Sequence, residues 1–197
     1  MARYDALHKA RTRERILAIA ARLFRQHGYD GVGIDTIMGE AGLTRGGFYA
    51  HFASKQALFE AVLGGPADYV ERLRLRGGGT PAQLAAGAMA VVRGYLDPAN
   101  RERIGAGCTM ASLSLDAARS TEDARSAFAA TVRALADEFV RGLPGGGPDT
   151  GNVDARGLLA VVLSVGGIVL SRAVGDDPLA EAITQVAIDA TERTLTP

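Results

Sequence analysis

A chain of 197 residues with 47% hydrophobic and 22% charged content can bury the core of one large or two small domains, which excludes an intrinsically disordered chain. Its single cysteine excludes an internal disulfide framework, and Met1-Ala2-Arg3 leads into no apolar stretch of the secretory type, so the expected location is the cytoplasm. The formal charge is zero but unevenly spread: residues 1–56 hold nine Lys/Arg against five Asp/Glu, and the remainder thirteen against seventeen, the pattern of a DNA reader joined to a domain that does not touch DNA.

Residues 1–11 are polar and basic without a helical period, which predicts a loose arm whose Arg3, Lys9 and Arg11 lie within reach of a DNA backbone. Ile16, Ala20, Leu23 and Phe24 then recur at helical spacing, so a first helix is expected from about Thr12 to a cap at Gly28. A second follows from about Ile34 to Ala41, with Gly33 where Ser or Thr would cap better. The stretch AGLTRGGFYAHF, residues 41–52, reads as a turn and a helix. Gly42-Leu43 makes the turn, Thr44 is placed to cap, Phe48 and Phe52 face inward, and Arg45 and Tyr49 share another stripe closed by His51.

Two features here oppose local stability. Each of Gly46 and Gly47 costs roughly 1 kcal/mol relative to alanine in a helix interior, yet lets a bulky partner approach the backbone. Lys55, behind the expected N-cap Ser54, puts a cation at the positive end of the next helix, a conflict that a phosphate resolves. Both make sense with DNA as the partner. Thr44, Arg45, Gly46, Gly47, Tyr49, His51 and Lys55 are therefore the candidate contacts to a major groove and its phosphates.

From about Thr12 to Leu63 these residues resemble the TetR family of transcriptional repressors. The resemblance rests on Leu23-Phe24 with Gly28-Tyr29, the turn Ala41-Gly42-Leu43-Thr44, the run Phe48-Tyr49-Ala50-His51-Phe52, and Lys55 before Leu58-Phe59. It implies an all-α homodimer, with a three-helix helix-turn-helix domain over residues 1–56 that binds a palindromic operator in double-stranded DNA. Residues 57–197 would then form a helical domain that dimerises and binds a small-molecule effector. The resemblance also implies one long fourth helix, whereas Gly64-Gly65-Pro66 must end, kink or restart it.

Beyond that point a helical period resumes over Asp68 to Arg76, and Thr80-Pro81 starts another helix as N-cap and first residue. Helices are expected over Pro81 to Leu96, about Arg103 to Ala118, Thr121 to Gly142, Asp154 to Ala173 and Pro178 to Leu195, with a loop over Pro144 to Gly151. The run Gly157 to Leu170 is shorter than the roughly 20 residues a bilayer demands, so it reads as a helix buried between protein surfaces and no membrane partner is expected. Small residues along it permit close helix approach. The resemblance implies that the last two helices pair with their symmetry mates, through Val161, Ser164, Gly167, Ile168 and Ser171 on one and Ile183, Val186, Ala187 and Ala190 on the other. The alternative is a core helix within one chain.

The glycine clusters follow no strand and lack a Gly-Lys-Ser/Thr ending, so they are not phosphate loops. His8, His27 and His51 are the only histidines and make no metal or nucleophile spacing, so no metal, cofactor or catalytic residue is expected and the chain does not read as an enzyme. Cys108 follows Gly105-Ala106-Gly107 near a helix start, with Arg101 and Arg103 upstream, a setting that favours a reactive thiolate. Gly107-Cys108 resembles the Gly-Cys pair of some TetR-type sensors of electrophiles or oxidants. Against this stands Cys108 as a buried small hydrophobe, with a reversible hydrophobic effector held among Met89, Tyr95, Met110, Phe128 and Phe139. Two other readings are a helical ligand-binding or protein-interaction module without DNA binding, and a thiol enzyme.

Overall fold

Good helix formers without an interrupting proline or glycine run from the second residue to His27, and the chain opens as one continuous helix there. The computed structural model describes residues 2–65, 68–146 and 153–196. Their elements are α1 (Ala2–His27), α2 (Ile34–Glu40), α3 (Arg45–Phe48), α4 (Lys55–Leu63), α5 (Asp68–Arg74), α6 (Pro81–Leu96), α7 (Pro98–Glu102), α8 (Thr109–Ala118), α9 (Glu122–Val140), α10 (Ala155–Val174) and α11 (Leu179–Leu195). The fold is all-α, with a helix-turn-helix in its N-terminal part.

The described residues gather into two compact units, one running to Gly65 and taking in Gly105–Phe128, the other comprising Asp68 to Ile104 and Ala129 onward. The sequence division at residue 56 falls inside the first unit. Its core joins Ile16, Phe24, Ile37, Phe48, Leu58 and Phe59 to Leu113, Ala117 and Ala124, so residues well beyond the helix-turn-helix complete its apolar interior. Phe24 and Phe59 meet edge to face at 5.5 Å, and Tyr29 lies 4.7 Å from Phe59. Polar ties hold the added segment: the Arg25 Nε donates to the Gly105 carbonyl at 2.8 Å and the Tyr29 N–H to Asp116 Oδ1 at 2.9 Å.

Local signals account for most helix ends. Gly28, at φ +73°, ends α1 and donates to the Phe24 carbonyl at 2.8 Å. Gly42, at φ +65°, ends α2; its N–H reaches the Gly39 carbonyl and the Leu43 N–H reaches that of Met38, the pair of bonds that only a left-handed residue after the helix allows. Thr80 and Gln83 form a reciprocal cap on α6 ahead of Pro81.

Three expectations are corrected. The N-terminal arm is helical rather than loose, because Ala6, Leu7, Lys9, Ala10 and Arg11 propagate the helix once Thr12 and Ile16 pack. Thr44 precedes α3 without a side-chain cap, since its backbone carbonyl takes the Gly47 N–H at 3.0 Å and its hydroxyl makes no cap bond. The helix expected from Arg103 begins at Thr109: Asp97 and Pro98 start the short α7, and the glycines at 105 and 107 separate it from α8. The fourth helix ends at Leu63 with Gly64 as its cap, the break that its glycines led us to expect, and α5 starts afresh at Asp68. The loop expected over Pro144 to Gly151 lies outside the described residues from 147 on.

In the second unit α10 packs along α11 and α6. At 20 residues α10 is long and apolar enough to cross a membrane by length and composition alone, and one stripe of it is packed inside the protomer. That stripe holds Gly157, Ala160, Val161, Ser164, Gly167, Ile168 and Ser171. A Cβ on Gly167 would stand 2.9 Å from the Ala187 Cβ and 3.2 Å from Leu96 Cδ2. Val161, Ser164, Gly167, Ile168, Ser171 and Ala187, expected at the dimer interface, are buried within the protomer. Ile183 and Ala190 are partly covered and Val186 is open. Large apolar side chains left to solvent are Leu158, Leu159, Val162, Val169 and Leu170 on α10, with Leu179 and Val186 on α11. Val162, Leu170, Leu179, Ile183 and Val186 line a shallow apolar groove.

Candidate nucleic-acid interface

Burial sorts the recognition stretch by face. Phe48 and Phe52 are buried, their rings 5.8 Å apart, while Arg45 is exposed and Tyr49 is 58% exposed. Tyr49 stands edge-on to Phe48 at 5.4 Å, so an inward aromatic braces an outward one. A Cβ on Gly46 would meet nothing within 4 Å, and one on Gly47 only ordinary contacts near 3.8 Å with Met38 Cε. Neither has a positive φ. The fold therefore does not require glycine at these two positions, which leave open space over the backbone beside Arg45 and Tyr49. This surface carries a guanidinium for base edges or phosphates, a phenol, a hydroxyl at Thr44 and unobstructed backbone, the groups that a DNA groove accepts.

The cations are held in two ways. Arg45 pairs with Asp35 of α2 at 2.6 Å, both side chains exposed, and Arg22 pairs with Glu40. Lys55 instead places its Nζ 4.1 Å from the centre of the Tyr29 ring, and the Arg13 guanidinium lies 4.6 Å from that of Phe52. Ser54 caps α4 by accepting the Ala57 N–H at 3.0 Å, so Lys55 is its first residue, as expected. His51 is half-buried, and its Nδ1 has no hydrogen-bond partner among the described residues. Burial, then the charges of Lys9 and Arg13 and the neighbouring His8, push its pKa below the ordinary 6.5 and keep the ring neutral. Sequence reading missed Asp35, Tyr29 and Arg13 as parts of this surface, because each acts through a contact across helices.

The candidate effector residues divide. Cys108, Met110 and Phe128 belong to the first unit, and Met89, Tyr95 and Phe139 to the second. Cys108 precedes α8 without a side-chain cap bond and is 6% exposed. Met89, Tyr95, Met110 and Phe139 are buried, and Phe128 packs half-buried on the first unit's core. Among the described residues no His/Cys/Asp/Glu group is arranged to hold a metal ion.

The family model described as bacterial regulatory proteins, tetR family, matches residues 16–62. The HTH-type transcriptional regulator AcrR of Shigella flexneri is 40% identical over 62 residues, 32% of this chain and 29% of its own length. LmrA of Bacillus subtilis is 43% identical over 53 residues, 26% of this chain and 28% of its own. The matched stretch therefore spans less than a third of either relative. Across nearly the whole chain the fold is similar to a TetR transcriptional regulator from Chloroflexus aurantiacus (TM-score 0.71, 23% identity, 96% of each chain). It is also similar to E. coli NemR in its reduced form (TM-score 0.70, 22% identity, 89% of this chain and 94% of that one).

Proposed function

Residues 16–62 belong to the TetR family of bacterial regulatory proteins, and from that premise we propose that the chain is a transcriptional repressor that binds a palindromic operator as a homodimer and releases it to a small-molecule effector. One observation carries the DNA-binding part: Arg45 and Tyr49 point outward beside glycines whose missing Cβ atoms serve no packing purpose in the fold. Thr44, Arg45, Tyr49, His51 and Lys55 are the contacts, with Gly46 and Gly47 admitting the backbone of the duplex. The dimer forms through the exposed stripe of α10 and α11. Such a regulator works in the cytoplasm, where its operator lies.

Selection of bound fragments from the organism's own genomic DNA supplies an operator and the test. Arg45→Ala is expected to weaken operator binding by roughly 1–3 kcal/mol and to relax preference at particular base pairs. Gly46→Ala should raise helix stability by up to about 1 kcal/mol, since nothing crowds its Cβ, while weakening DNA binding. Wild-type operator affinity in both variants sinks the assignment.

A pH dependence follows from His51. The free protein holds it neutral because its pKa is depressed, and an approaching phosphate raises that pKa, so binding takes up a proton. Operator affinity should increase as pH falls through the bound-state pKa and level off below the free-state one. His51→Gln should lose that component, and identical pH profiles for the two proteins would exclude His51 from the interface. The same depression makes protonation unfavourable to the fold, so stability should decline as pH drops below about 6.5.

For the effector, the thiol reading is supported by the glycine-bearing segment before Cys108 and by a structural neighbour captured in a reduced form. With Cys108 buried, an electrophile reaches it only when that segment opens. The second reading is a reversible hydrophobic ligand that does not react with Cys108. Maleimide that releases operator from wild type but not from Cys108→Ser supports the first, and equal release from both supports the second.

A further inference from the structure

Lys55 stands in a field that should repel it. As the first residue of α4 it lies at the positive end of the helix dipole, and among the described residues no carboxylate forms an ion pair with it. What faces its ammonium is the π surface of Tyr29, 4.1 Å from Nζ to the ring centre. The negative face of an aromatic ring attracts a cation without neutralising it, so the charge stays available to a third group. A carboxylate has the opposite consequence: Asp35 must surrender Arg45 before a phosphate or base takes that guanidinium.

The ring is itself held from several sides. Gly28, at φ +73°, turns the chain out of α1 so that Tyr29 returns over α4. Its backbone N–H donates to Asp116 Oδ1 at 2.9 Å, and its ring packs against Phe59 at 4.7 Å and Phe24 at 5.8 Å. A mobile lysine side chain loses rotamer entropy when it is fixed in a complex. A rigid ring beneath the ammonium removes part of that loss in advance.

We propose that Tyr29 is a positioning residue for DNA binding, its ring holding the Lys55 ammonium charged, unpaired and pre-placed for a backbone phosphate. This deepens the DNA-binding reading and rests on it. Tyr29 touches no DNA in this scheme; it acts through Lys55 alone.

The full-length protein and a duplex of random sequence, about three helical turns long, provide the test. Wild-type binding is measured first across a range of salt, and absence of salt-dependent binding overturns the DNA reading itself. Given binding, two residues are compared at position 29: Tyr29→Phe, which keeps the ring and its negative face, and pentafluorophenylalanine, which keeps the shape and reverses the face. The phenylalanine variant should bind as wild type does, and the fluorinated one about three- to ten-fold more weakly. In a Lys55→Met background, which lowers the salt slope by about one unit, the two should bind alike. Equal binding of the two with Lys55 present means the ring only fills space and overturns the proposal, as does an equal difference with Lys55 removed. The geometry has its own check: in the free wild-type protein the Lys55 ε-methylene protons should be shifted upfield by the ring, and unshifted resonances overturn the placement.

Discussion

Glutamate at both Val162 and Val186 is expected to leave a folded protomer that no longer self-associates and that binds a two-half-site operator more than ten-fold more weakly. These side chains are 58% and 65% exposed, so neither substitution removes packing within the chain. Covering one Val or Leu completely is worth roughly 1.5–3 kcal/mol, and the open side chains of α10 and α11 form a continuous apolar face. In a two-fold interface each new carboxylate enters twice, without a cationic partner, and burying such a charge costs more than the face returns. Losing the dimer then removes the second recognition helix from the operator. Sedimentation at micromolar concentration and a melting curve check the two halves of this expectation. A variant that remains dimeric, or a wild type that is monomeric, places the interface elsewhere.

Gly157→Ala is expected to destabilise the fold by about 2 kcal/mol or more, although helix propensity alone favours alanine by about 1 kcal/mol. A Cβ at this position would overlap the carbonyl oxygen of Ala136, and Ala136 is fully buried in α9, so relief requires two helices to separate rather than one side chain to turn. Denaturant melting gives the measurement. Gly46→Ala is its control, the same chemical change at a glycine with empty space around it, and is expected to have the opposite sign. If both substitutions shift the midpoint the same way, the close crossing of α9 and α10 is not what fixes glycine at residue 157.

Much of the first unit was legible because its signals are local. Ile16, Ala20, Leu23 and Phe24 repeat at helical spacing, Phe48 and Phe52 lie four residues apart, Gly28 and Gly42 stand where a left-handed residue ends a helix, and Ser54 caps one, so helix, turn and inward face could all be read from neighbours within a few positions. The same holds for Thr80-Pro81 and Asp154 further on. Expectations failed where a weak local preference met cooperative propagation, as in the helical extension of α1 before Thr12. They also failed where a single hydroxyl had to choose among partners, as at Thr44.

For this chain, the order of residues by itself determined helix class and most helix ends, since a period, a cap or a positive φ depends on atoms a turn apart. Tertiary structure alone decided which stripe of α10 is consumed within the protomer, because its small and large apolar residues surround the helix and only contact with Leu96, Ala136 and Ala187 selects Gly157 and Gly167 over Val162 and Leu170. It decided that residues 105–128 complete the core of the first unit, and that Arg45 meets Asp35 while Lys55 meets Tyr29. Those choices join residues between 10 and 87 positions apart in the sequence, a separation at which no local pattern identifies the partner.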